Sequence, residues 1–130
     1  MSGRLSHDRP GVWAVALQRR QTPEGVNNVE EIAKVDGVDV IHIGANDLLT
    51  AMGKPGQFGD PEGAKAIDRV ISVAAANGKI PGMGGDRHIP RQIEYIRKGA
   101  RFLTTNSEIA FILTEATRVT TELRRALAEK

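Results

Sequence analysis

The sequence predicts an α/β fold of four βα units with parallel strands. Two features carry that reading. Short apolar, β-branched runs alternate with longer stretches whose apolar residues recur at helical spacing, and Gly, Pro, Asp and Asn fall at the borders between them. Such alternation sets consecutive strands parallel, because each helix returns the chain by a right-handed crossover.

The elements follow in order. "VWAVAL" (12–17) reads as a first strand. "NNVEEIAKVDG" reads as a short helix, with Asn28 able to cap, Glu31 three residues on, and Gly37 able to end it. Residues 38–43, with Val38, Val40, Ile41 and Ile43, make a buried strand that runs into "GANDLL". Residues 60–78 carry the clearest helix signals: Asp60 at the cap, Pro61 at the first turn, Ala64, Ile67, Val70, Ile71 and Ala74 along one stripe, and Gly78 after the last turn. "KIPGMGG" (79–85) is a third strand ending in a glycine turn. "IPRQIEYIRKGA" is a helix with Ile89, Ile93 and Ile96 on one side, and "RFLTT" (101–105) is a fourth strand. Residues 107–128 form a long final helix, for which Thr105 and Glu108 fit a capping box and Ile109, Ile112, Leu113, Ala116, Val119, Leu123 and Leu127 line one face.

Four parallel strands leave two edges with unpaired backbone groups, and four βα units are half of a (β/α)8 barrel. The division expected is a flexible leader over 1–11 and one domain over 12–130. With 130 residues, 40% hydrophobic and 26% charged, the chain has the composition of one soluble domain. Eighteen basic against sixteen acidic residues are interspersed, which argues against a nucleic-acid or anionic-membrane partner. There is no cysteine, so neither a disulfide framework nor a thiolate metal site exists, and a cytoplasmic setting is the expectation. No apolar run reaches the ~18 residues of a membrane span.

Three features invite a chemical reading. Asp47 follows a strand ending in Gly44, a place where α/β enzymes present a catalytic or metal-binding carboxylate, although aspartate also caps such turns. "GMGGDRH" (82–88) could cradle a phosphate or carboxylate with backbone N–H groups, or only turn the chain. Among the histidines, His42 reads as a packed strand residue kept neutral by burial and His88 as a solvated surface residue.

"TPEGVNNVEEIAKVDGVDVIHIGANDLLTAMGKPGQF", then "GKIPGMGG", then "GARFLTTNSEIAFI" resembles the C-terminal half of the HpcH/HpaI aldolases. These are metal-dependent, pyruvate-forming enzymes with a phosphoenolpyruvate/pyruvate-type TIM barrel. The resemblance implies that Asp47 is a ligand of a divalent metal (Mg, Mn or Co). It also implies that the backbone around Gly44, Ala45 and Asn46 lies against the carboxylate and carbonyl of a 2-oxo acid such as pyruvate. An ungapped alignment of "TPEG" puts Gln21 where the family has its second metal ligand, a glutamate, and Arg19 two residues before it. Gln21 keeps a neutral carbonyl oxygen but removes one negative charge, while Arg19 and Arg20 add two positive ones, so metal affinity is expected to fall. Arg19 remains a candidate to bind the substrate's carboxylate.

The family's general base and substrate-polarising arginine belong to the N-terminal half, so no catalytic residue is carried over to this chain. The resemblance thus implies a carbon–carbon lyase domain that cleaves a 4-hydroxy-2-oxo acid to pyruvate and an aldehyde, impaired or dependent on a partner chain. The alternative is a non-catalytic scaffold or assembly module. Open strand edges and the apolar face of the last helix lead to an expected homo-oligomer.

Overall fold

A computed structural model describes residues 15–17 and 22–129. The expected leader, the first residues of the 12–17 strand, Arg19 and Gln21 lie outside the described residues. Among the described residues ten elements follow one another: β1 (Val15–Leu17), α1 (Pro23–Asn27), α2 (Val29–Ala33), β2 (Val40–Gly44), α3 (Ala45–Ala51), α4 (Pro61–Ala76), β3 (Ile80–Gly84), α5 (Ile89–Lys98), β4 (Phe102–Thr104) and α6 (Glu108–Ala128). The strands form one sheet in the order β1-β2-β3-β4, and every pair is parallel. Consecutive, parallel and uncrossed strands are the pattern of a barrel wall, as expected.

The pleat gives the sheet two different faces. Ile41 and Ile43 of β2 and Met83 of β3 point toward the helices, where they pack with Val26, Val29, Ile67, Val70, Ile71 and Ala74. Full burial of each valine, isoleucine or methionine among them contributes about 1.5–3 kcal/mol. Val40, His42 and Gly44, then Gly82 and Gly84, then Phe102 and Thr104 alternate onto the other face, which would be the lumen of a closed barrel. That face is only partly covered: Phe102 is 42% exposed.

Helix α4 is the central outer element, and its local chemistry is the one expected. Asp60 Oδ2 accepts from the Gly63 amide at 2.9 Å, Pro61 opens the first turn, and Ile67, Val70, Ile71 and Ala74 are buried. Gly78, at φ +70, reverses the chain toward β3.

Elsewhere the structure departs from the expectations. The "TPEG" segment is itself helical, because Thr22 caps α1 by accepting from the Gly25 amide at 3.3 Å. Asn28 makes no side-chain cap and only joins α1 to α2. Where the sequence suggested a turn around Asp47, residues 45–51 form α3 directly on the end of β2. Helix α5 buries Gln92 and Tyr95, while Ile89, Ile93 and Ile96 are exposed. Gln92 can be buried because its amide nitrogen donates to the carbonyls of Asp86 at 2.7 Å and Thr105 at 3.3 Å. Ser107, rather than Thr105, occupies the cap position of α6, so the expected capping box does not form. Helix α6 buries none of its residues, and its apolar face is open.

Candidate functional site

The C-terminal ends of β2, β3 and β4 lie level with one another, with Gly44 paired to Gly84 and Gly84 to Thr104. In parallel α/β structures that edge is where ligand groups gather. Gly44 is extended (φ −91, ψ 106) and starts α3 without a connecting loop, so Ala45, Asn46 and Asp47 occupy the first turn of that helix. Ala45 is buried, whereas Asn46 and Asp47 are exposed at the rim. Asp47 has no hydrogen-bond or ion-pair partner among the described residues, and its side chain is exposed.

The glycine turn after β3 meets this first turn. Gly85 sits at φ +87, and a Cβ there would lie 3.0 Å from the Asn46 amide nitrogen and 3.5 Å from that of Ala45. Only glycine combines that backbone conformation with so close an approach. The structure therefore brings together two segments singled out separately in the sequence, 44–47 and 82–88.

The turn is held by a buried carboxylate that the sequence did not reveal. Asp86, 3% exposed, accepts from the His88 amide at 2.9 Å and from both Nε and Nη2 of Arg91, the latter at 2.9 Å. The Arg91 guanidinium in turn lies over the Phe58 ring, 5.8 Å from its centre. Burial acts to raise the Asp86 pKa, but Arg91 and the His88 amide outweigh it and hold the carboxyl below its ordinary value. Through Gln92 the same loop is tied to the Thr105 carbonyl beyond β4. Asp86 thus anchors three segments around the candidate site: the glycine turn, the end of β4, and the 53–58 loop that carries Phe58. That loop is also pinned to the start of α4, since Lys54 Nζ reaches Asp60 at 2.9 Å and Glu62 at 2.6 Å.

The two histidines sit as expected. His88 is exposed at the start of α5. His42 is 6% exposed on the barrel-facing side of β2, and burial lowers its pKa, opposed by the Met83 backbone. Its ring lies over Gly82 and Gly84, which bears on the phosphate-cradle reading of "GMGGDRH". The room left by these two glycines is taken by His42, Phe102 and Thr104.

The family model of the HpcH/HpaI aldolase/citrate lyases matches residues 20–113. The chain belongs to that family. It is 33% identical over 93 residues to a 5-keto-4-deoxy-D-glucarate aldolase of Shigella boydii, an overlap covering 72% of this chain and 36% of that protein. It is also 33% identical over 101 residues to the protein of the same name from Escherichia fergusonii, covering 78% and 39%. Among solved structures, an HpcH/HpaI aldolase/citrate lyase family protein from Burkholderia cenocepacia superposes with a TM-score of 0.75 at 26% identity, over 81% of this chain and 40% of that one. The chain therefore spans less than half the length of these relatives, and its four βα units are part of a TIM barrel.

Family membership raises the question of a divalent metal, and the donor set answers it in part. Among the described residues no group of three His, Cys, Asp or Glu side chains converges on one point. Among the described residues Asp47 alone offers an unpaired carboxylate next to the strand ends. A hard cation takes six or more oxygens, so among the described residues the site offers such a cation one carboxylate ligand, Asp47, and no complete set.

Proposed function

We propose that the chain is a carbon–carbon lyase domain of the 2-oxo acid aldolase type, acting on a 4-hydroxy-2-oxo acid once a partner chain completes its site. The observation that carries this reading is the exposed carboxylate of Asp47, unpaired among the described residues, in the first turn of α3, the turn that meets Gly85, in a chain of this family. Asp47 would hold the divalent cation, and Gln21 would add its amide oxygen as a weaker ligand. The backbone at Gly44, Ala45 and Asn46, with Arg19, orients the substrate carboxylate.

A bound divalent cation supplies Lewis-acid polarisation of the 2-oxo group. In the cleavage the C3–C4 bond breaks and its electron pair passes to C3, giving the enolate of pyruvate. The 4-hydroxyl gives up its proton as the aldehyde carbonyl forms, and C3 is then protonated. That proton traffic is assigned to a completing chain, because the described residues around Asp47 include no base within the open mouth. A homo-oligomer formed through the strand edges and α6 suits this arrangement, since the apolar residues of α6 are open.

A second reading, a non-catalytic scaffold, is favoured by the solitary position of Asp47 among the described acidic residues. Mn²⁺ titration followed by electron paramagnetic resonance separates the two. The lyase reading expects binding that pyruvate strengthens, that Asp47→Asn abolishes and that Gln21→Glu tightens. No bound Mn²⁺ at about 10 mM, in a range where even millimolar affinity registers, sinks the lyase reading. No gain from Gln21→Glu overturns the register that places Gln21 at the metal.

A further inference from the structure

His42 belongs to β2, yet its ring spans β3 and reaches β4. A Cβ at Gly82 would come 2.9 Å from His42 Cδ2, and one at Gly84 would come 3.1 Å from Cε1. Beyond those glycines, Nε2 lies 3.3 Å from Thr104 Oγ1. The edge of the ring meets the Phe102 ring, with centroids 5.6 Å apart and planes at 78°. Any side chain at 82 or 84 would exclude the imidazole from this course, so the two glycines and the histidine form one unit.

The arrangement is costly for a purely structural residue. Among the described residues the buried Nδ1 atom has no hydrogen bond within 3.5 Å, although the Met83 backbone acts on the ring, and an apolar ring would pack against Phe102 without that loss. What the imidazole gains is its link to Thr104. Thr104 is exposed, at the end of β4 and level with Gly84 and Gly44, the residue that leads into Asp47. Two strand spacings, about 10 Å, separate Gly44 from Thr104. A small acid held at Asp47 by its 2-oxo end spans that distance together with its hydrogen bonds.

We propose that Thr104 is a ligand-contact hydroxyl on the floor of this site and that His42 is the positioning residue that fixes its direction. Tied to Nε2, the hydroxyl has one defined role left to offer a ligand, where a free rotor would have several. The group it meets is an oxygen function on the distal carbon of a 2-oxo acid, so the dyad selects hydroxylated acids over those ending in an apolar carbon. This rests on the reading of Asp47 as the anchor of a 2-oxo acid.

The test compares 2-oxobutyrate with 4-hydroxy-2-oxobutyrate, which differ by one hydroxyl. Both are titrated in the presence of Mg²⁺ into the full chain labelled with ¹⁵N and followed by nuclear magnetic resonance. The wild-type chain prefers the hydroxylated acid by about fivefold, the worth of one neutral hydrogen bond. Its binding moves the His42 ring ¹⁵N signals, whereas 2-oxobutyrate leaves them in place. Thr104→Val abolishes the preference without changing the affinity for 2-oxobutyrate, and Thr104→Ser retains it. His42→Phe weakens the preference, and His42→Gln, whose amide can bond the hydroxyl, restores part of it. Should His42→Phe fail to fold, the Thr104 pair decides alone. A preference that survives in Thr104→Val overturns the proposal, as does a loss of affinity for both acids alike. A preference that persists with no need of metal or Asp47 overturns the aldolase reading and leaves the dyad standing. Binding of neither acid overturns both.

Discussion

Asp86→Asn is expected to destabilise the chain by about 2 kcal/mol, and the figure follows from what the carboxylate touches. Its side chain is 4% exposed, and it accepts from the His88 amide and two guanidinium nitrogens of Arg91. Hydrogen bonds to charged groups contribute about 1.5–3 kcal/mol each, and asparagine keeps one acceptor oxygen, so part of the set survives. The Arg91 side chain is 29% exposed. Left alone it retains water, which sets the loss below the ~3–5 kcal/mol of breaking a fully buried pair. With an m-value of about 2 kcal/mol/M, the urea midpoint read by circular dichroism falls by about 1 M. The pH dependence adds a second arm. Asp86 has its folded pKa depressed by Arg91 and the His88 amide against the opposing effect of burial. Its contribution is fully present above the unfolded value near ~3.9 and is lost as pH falls through the lower folded value. The gap between wild type and variant therefore stays constant from about pH 7 to pH 5 and narrows below about pH 4. A midpoint change under about 0.3 M, or a gap that does not narrow in acid, refutes the anchoring role.

Two further outcomes are expected. Gly84→Ala places a methyl 2.9 Å from Thr104 Cβ and 3.1 Å from His42 Cε1, costing about 1–3 kcal/mol in the same urea assay. Adding His42→Ala recovers part of that loss, whereas strict additivity of the two changes contradicts the course of the imidazole across β3. On α6, where Leu113 is 59% exposed, Leu113→Glu leaves the unfolding free energy within about 0.5 kcal/mol of wild type and lowers the mass seen by light scattering. A large loss of stability without a change in mass contradicts an unpacked α6.

The strands and α4 were legible because their signals are local: β-branched runs, a cap at Asp60, a proline in the first turn and a period of 3.6. Helix α3 was not, because glycine followed by a carboxylate reads equally as a turn, and only the direct run-on from Gly44 makes it helical. Helix α5 was misread because its isoleucine stripe outweighed Gln92, whose burial depends on carbonyls of residues 86 and 105 that only folding brings together. The place of Asp47 just after the strand was legible from the β-branched run that ends at Gly44. Asp86 left no trace, since an aspartate after a glycine turn is ordinary until Arg91 and the His88 amide close on it. The pairing of Gly82 and Gly84 with His42 was likewise hidden, because the strand register that aligns them is not written in either segment alone.

The most direct test of the account is thermal unfolding of the chain with Mg²⁺ and pyruvate, compared with Asp47→Asn. For an acid that binds only the folded state, with an affinity of about 1 mM and present at about 10 mM, the stabilisation is about 1.4 kcal/mol. For 130 residues that raises the unfolding temperature by about 5 °C. The account predicts that rise in the wild-type chain, its dependence on both metal and pyruvate, and its disappearance in Asp47→Asn. No rise in the wild type, or an equal rise in the variant, contradicts it.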